Sequence, residues 1–184
     1  EGGIEIVTNC NVGVDISFDE IRSKHDAVII ATGVYKSRDL AGPGSGAVGI
    51  VKAIDYLTAS NRHGFGDNVP EFEDGSLNAA GKRVVVIGGG DTAMDCVRTA
   101  IRQGATSVKC LYRRDKANMP GSLRETQNAE EEGVEFVWLT APNGFIGNPV
   151  TGVNVQKMRL GLPDVTGRQS PELIDGADYV EPAE

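Results

Sequence analysis

Four consecutive aliphatic residues, Val84 to Ile87, run directly into Gly88-Gly89-Gly90, and a helical pattern begins at once with Asp91. Few folds accept that junction. An apolar run rich in β-branched residues predicts a strand covered on both faces, as in a parallel sheet. Between Asp91 and Gln103, the residues Ala93, Cys96, Val97, Ala100 and Ile101 recur at i, i+3, i+4, i+7 and i+8, which puts all five on one buried stripe of a helix. Gly104 can stop that helix as its C′ residue. Ser107 to Tyr112 then alternates as a second strand. The unit is strand–turn–helix–turn–strand in about thirty residues, the size of one mononucleotide-binding βαβ element.

The bend between strand and helix carries chemistry. A dinucleotide's diphosphate is bulky and doubly charged, so backbone can bind it only where amide hydrogens point outward with no side chain in the way. Glycines at a strand-to-helix bend give that geometry, and the helix N-terminus adds about half a positive charge. Here the pattern is Gly88-x-Gly90-x-x-Ala93: Gly88 makes the turn, Gly90 admits the diphosphate, and Ala93 lets helix and strand approach. Gly89, Asp91 and Thr92 complete the bend. The end of the second strand selects the nucleotide. About twenty residues after the motif, a carboxylate would bind the ribose hydroxyls of NAD. This chain has Arg113 and Arg114 there, with Lys116 close by, and a guanidinium can grip a 2′-phosphate through two donors. The expected ligand is therefore NADP(H).

The remaining chain is less specific. Ile4 to Val7 suggests a short strand, Ser17 and Glu20 spell a capping box for a helical turn through Ile21, and Asp26 to Ala31 has the pattern of a buried parallel strand. Glycine-rich residues 41–49 predict a turn, and Val51 to Ala59 a short helix with Ile54 and Leu57 inward. Residues 62–81 lose periodicity and predict a mobile loop. A second capping box, Ser122 and Glu125, predicts a helix to Glu132 that stops at Gly133, followed by a strand from Val134 to Leu139. Beyond Asn143 an antiparallel meander is expected, with Pro163, Gly167 and Pro171 at turns. The fold class is α/β: a Rossmann-like central parallel sheet with flanking helices and a β-meander. By domain, residues 1–60 read as one segment with a crossover, 61–81 as a flexible loop, and 82–184 as the nucleotide-binding domain.

Composition narrows the function classes. A formal net charge of −8 disfavours nucleic acid, and no apolar run approaches the ~20 residues of a membrane span. Cys10, Cys96 and Cys110 are too scattered for a disulfide framework or metal knuckle, and a cytoplasmic setting follows as the expectation. Cys96 and Cys110 read as packing residues, His25 and His63 as non-catalytic, and Glu130 to Glu132 as a solvated face. No catalytic constellation stands out, so no catalytic residue is assigned.

The strings VVVIGGGDTAMDCVRTAIRQGA, SVKCLYRRDKANMPGS and AEEEGVEF, with HDAVIIATGVYKSRDL and VQKMRLGLPD, resemble the small (β) subunit of bacterial NADPH-dependent glutamate synthase over nearly the whole chain. A related NADPH-reading region occurs in dihydropyrimidine dehydrogenase. The resemblance implies an NADPH domain inserted in a split FAD domain, beside an iron-sulfur region, with residues 1–60 as the end of the FAD-domain segment and its crossover. Electrons would pass from NADPH to FAD and through iron-sulfur clusters to the large subunit, where glutamate forms. It assigns Gly88, Gly90 and Ala93 to the pyrophosphate loop and Arg113 with Arg114 to the 2′-phosphate. It also makes the parent chain's FAD domain and the large glutamate synthase subunit the partners. This sequence has no second glycine fingerprint, no cysteine cluster and no closing flavin motif, and it lacks the next apolar parallel strand of that family. The expectation is a truncated NADPH-binding region, inactive without its FAD and iron-sulfur parts, whose sheet edge Asp26–Ala31 could fill. A sensor of pyridine nucleotide without chemistry, or an interaction module built on the meander, are the competing readings.

Overall fold

Alternation along β1 (Arg83–Ile87) explains why four aliphatic residues stand in a row. Val84 and Val86 pack against helices on one side, while Val85 and Ile87 pack against a second sheet on the other. β2 (Ser107–Tyr112) pairs parallel with β1, and β3 (Glu135–Trp138) pairs parallel with β2, giving the order β1-β2-β3. β4 (Thr140–Ile146), β5 (Gly152–Pro163) and β6 (Gln169–Pro182) form an antiparallel sheet in chain order. This is the α/β architecture expected: a parallel sheet between a helical layer and a meander. It is a computed structural model that describes residues 3–33 and 39–184, and the chain divides into two compact units, Glu1–Tyr35 and Lys36–Glu184.

In the larger unit, α2 (Ala53–Gly64), α4 (Asp91–Arg102) and α5 (Leu123–Glu131) make the helical layer, and α3 (Pro70–Glu73) is a single turn. The stripe on α4 is buried as expected at Ala93, Cys96, Val97 and Ala100, with Ile101 packed against it; Met94, outside the stripe, is also fully buried. Gly104 takes φ +86° and ends the helix. On α2 it is Tyr56 and Ala59 that are buried, with Leu57 packed beside them, whereas Ile54 is only half-buried. Gln103 ties the layer together. Its Oε1 accepts from the Tyr56 hydroxyl (2.8 Å) and from Ala79 N–H (2.9 Å), and its Nε2 donates to Ser60 Oγ (3.0 Å).

Several local expectations need correction. Residues 62–81 are no unstructured loop: α2 runs on to Gly64, α3 follows, and Val69 and Ala79 are buried. Ser122 does not close its capping box, because Glu125 binds Arg98 instead and the Ser122 side chain makes no cap bond. Glu130 and Glu132 are not merely solvated. Glu130 binds Lys116, and Glu132 accepts from Arg98 and Arg102, which hold its carboxyl below the usual range. Pro171 lies inside β6 opposite Leu160, and Pro163 is the last residue of β5, so of the three expected turn residues only Gly167 lies between the strands.

In the smaller unit, α1 (Phe18–Lys24) starts where expected, with Ser17 Oγ accepting from Glu20 N–H at 3.1 Å. The Glu20 carboxylate pairs with Lys24. Neither Ile4–Val7 nor Asp26–Ala31 is a strand. Ile29 and Ile30 are 90% and 71% exposed, so Asp26–Ala31 is not the buried parallel strand its pattern suggests. Among the described residues β1 has a strand partner on its β2 side alone. A cavity of about 540 Å³ is lined by Val84 to Ile87 together with Ile50, Tyr56 and Ala183.

Candidate dinucleotide-binding site

The bend after β1 is built almost entirely by backbone. Gly88 N–H closes the ladder onto Leu111 O, and Gly88 then takes φ +144°, a conformation side-chain-bearing residues avoid. A Cβ on Gly88 would touch Ala93 Cβ at 3.7 Å, so the small residue at the third motif position sets how closely helix and strand meet. The Cys110 thiol donates to Gly88 O at 3.2 Å from beneath. Burial pushes the Cys110 and Cys96 thiols up to about 12, and both stay protonated packing groups, as the sequence suggested.

Gly89 and Gly90 are glycines for different reasons. A Cβ on Gly89 would lie 2.5 Å from Tyr112 Cδ2 and 2.6 Å from Cε2, inside the ring's van der Waals envelope. A Cβ on Gly90 would meet nothing within 4 Å, and its φ of −93° suits any residue. Space in front of Gly90 is therefore open. Ala93 and Met94 N–H both donate to Gly90 O, beginning α4. Among the described residues the N–H groups of Gly89, Gly90, Asp91 and Thr92 have no acceptor. Four unclaimed donors at the positive end of a twelve-residue helix are the groups with which a helix N-terminus can accept an anion.

A strap that sequence reasoning missed braces the bend. Gly121 N–H donates to Gly89 O (2.9 Å) and Ser122 N–H to Asp91 Oδ1 (2.9 Å). A Cβ on Gly121 would stand 3.0 Å from Gly89 O, a tight contact to which the bend would have to give by a few tenths of an ångström. The Pro120-Gly121 pair signals a turn, but nothing in the sequence says what the turn touches. Asp91 consequently spends one carboxylate oxygen on the strap. Tyr112, also missed, carries the floor: its ring lies under Gly89 and its hydroxyl donates to Asn118 O at 3.1 Å.

The basic residues separate in environment. Arg113 is exposed directly after β2. Arg114 is half-buried, with a fully buried Nε that has no partner among the described residues, and its backbone carbonyl accepts from Leu139 N–H at 3.1 Å. Lys116 sits on a 3₁₀ turn (Lys116–Asn118) capped by Asp115, and both Glu130 carboxylate oxygens hold its ammonium at 2.7 and 2.8 Å. Its charge is already neutralised locally. His63 stacks on Phe72, and no group of three or more metal-ligating side chains occurs among the described residues. No helix among them is long and apolar enough to cross a membrane.

Comparison with known proteins agrees with this architecture. Residues 3–164 match the family model for pyridine nucleotide-disulphide oxidoreductases. A Cereibacter sphaeroides protein with a provisional name as a glutamate synthase [NADPH] small chain is 74% identical over 100% of this chain and 44% of its own length. The glutamate synthase [NADPH] small chain of Azospirillum brasilense is 60% identical over 100% of this chain and 38% of its own length. The chain thus spans less than half the length of these relatives. Among solved structures, Mycobacterium tuberculosis FprA in complex with NADPH superposes with a TM-score of 0.71 at 21% identity, covering 96% of this chain and 52% of its own; that likeness concerns the fold. With a matching family model over most of its length and the same architecture, the chain belongs to the pyridine nucleotide-disulphide oxidoreductase family.

Proposed function

We propose that this chain is the NADP(H)-binding region of a flavin-dependent oxidoreductase of the glutamate synthase small-chain type. The observation that carries the reading is the bend itself: four unclaimed backbone N–H groups at a helix N-terminus, with open space before Gly90. The diphosphate of the nucleotide would lie over Gly88 to Thr92. Its 2′-phosphate would meet Arg113 from solvent and the guanidinium of half-buried Arg114 beside it. Lys116, held by Glu130, adds little to the grip.

Charge-assisted bonds of about 1.5–3 kcal/mol, discounted for exposure, favour NADP(H) over NAD(H) by about ten- to several hundredfold. Bound NADPH would supply a hydride to a flavin held elsewhere in the parent protein. This chain's residues bind and orient the nucleotide and perform no proton transfer. The flavin, the iron-sulfur clusters and the large subunit that makes glutamate belong to the parent assembly in this reading. It rests on the Azospirillum and Cereibacter relatives, whose names carry that activity.

Calorimetric titration with NADP⁺ and NAD⁺ in parallel, repeated with Arg113→Ala, tests the assignment. NADP⁺ should bind at least tenfold tighter, and the variant should lose most of that margin. Equal binding of the two nucleotides would refute it.

A further inference from the structure

From the corner where β2 and β3 end together, we infer that Trp138 is the stacking platform for the adenine ring. The inference deepens the nucleotide reading above and rests on it. Three observations converge. First, Trp138 is the last residue of β3 and stands in register with Tyr112, the residue immediately before Arg113. The ladder continues one step further through Leu139 N–H to Arg114 O, so the tryptophan and the two arginines share one end of the sheet.

Second, the connectivity of the ligand dictates on which side the base must fall. If the 2′-phosphate is at Arg113 and Arg114, the ribose lies over the end of β2. Its 5′ arm must run toward the glycine bend on the β1 side. The base, attached at the opposite end of the ribose, is then directed to the β3 side, one strand spacing of about 4.8 Å away. Tyr112 has its ring against Gly89, on the helix face of the sheet, and Trp138 meets that ring edge-on at 6.4 Å and 86°. The indole is therefore on the same face as the bend.

Third, the indole is held in place by stacking. Phe136, two residues earlier on the same strand, stacks on it at 4.9 Å and 6° from parallel. Phe136 lies toward the start of β3, so one indole face is already taken by a ring of the same strand. Trp138 remains partly exposed at the carboxyl end of β3, the end of the sheet over which the ligand would lie. Leu139 then takes φ +54°, a left-handed conformation rare for a leucine, and turns the chain sharply into β4. Strain of this sort is tolerated where geometry matters.

Trp138 is the chain's single tryptophan, so its emission reports on this position alone. The probe is adenosine 2′,5′-bisphosphate, which has the base and the 2′-phosphate without the nicotinamide half. Titrated into the full chain, it should quench tryptophan emission saturably, whereas nicotinamide mononucleotide, which lacks adenine, should not. Trp138→Ala should weaken calorimetric binding of the bisphosphate by about five- to a hundredfold, and Trp138→Phe should recover most of it. The preference for NADP⁺ over NAD⁺ should survive both changes, because the arginines remain. Unquenched emission on saturating binding, or unchanged affinity in a Trp138→Ala chain that still melts cooperatively, would overturn the platform and leave the phosphate assignment standing. Absence of any binding to the unmodified chain would overturn both.

Discussion

The two adjacent glycines of the bend should respond to the same substitution in opposite ways. Gly89→Ala would place a methyl 2.5 to 3.0 Å from three atoms of the Tyr112 ring. The ring cannot swing away cheaply, because its hydroxyl is bonded to Asn118 O and it meets the Trp138 ring at right angles. Overpacking of this kind costs about 1–3 kcal/mol, so the urea midpoint should fall with little change in slope. The cost belongs to a contact between two named groups, and it should shrink when Tyr112→Ala removes the ring. A double-mutant cycle should return a coupling of about 1 kcal/mol or more. Gly90→Ala has neither a clash nor a backbone penalty. Its stability should stay within about 0.5 kcal/mol of the unmodified chain or rise slightly. Its methyl, however, stands where the diphosphate must approach, and losing even one charge-assisted bond predicts about tenfold weaker NADP⁺ binding or worse. An unaltered urea midpoint for Gly89→Ala, or full NADP⁺ affinity in Gly90→Ala, would refute this division of roles.

Three further predictions follow from the same geometry. Asp91→Asn keeps an oxygen for Ser122 N–H while removing a negative charge from the mouth of the anion site, so NADP⁺ should bind several-fold tighter at low salt and the gain should fade as salt rises; weaker binding would mean the carboxylate is needed for more than the strap. Ellman's reagent should titrate one thiol rapidly in the native chain, exposed Cys10, and all three in denaturant, since buried Cys96 and Cys110 have thiols pushed up to about 12; two or more fast native thiols would contradict that burial. Glu132 is held below its ordinary 4.5 by Arg102 and Arg98, so its stabilisation is present above that pH and is lost as pH falls through the lower folded value; Glu132→Gln should flatten the acid limb of the stability curve, and an unchanged limb would show that the pair is idle.

The β1-bend-α4-β2 unit was legible because every local signal in it agrees with the tertiary packing. Val84 to Ile87 is apolar on both faces and has a layer on each, and the stripe of α4 faces one of those layers. Ile4 to Val7 and Asp26 to Ala31 carry the same local signal without the outcome. Apolar, β-branched residues state a preference for a pleated environment, but they do not name a strand to pair with, and Ile29 is 90% exposed. Residues 62–81 failed in the other direction. Their anchors are single contacts, such as Ala79 N–H to Gln103 and Lys82 to Gly75 O, which leave no periodic trace. At the candidate site, the glycine bend between strand and helix was readable from spacing alone. The contacts of Tyr112, Gly121 and Trp138 were not, because they come from register and from a strap arriving thirty or more residues beyond the helix start, features that only the folded chain reveals.

The most direct measurement is a ¹⁵N–¹H correlation titration of the full chain with NADP⁺. The amides of Gly89, Gly90, Asp91 and Thr92 should shift first and furthest, together with the Arg113 side-chain resonances. Shifts confined to residues elsewhere, with those four amides unmoved at saturation, would contradict the bend as the seat of the diphosphate.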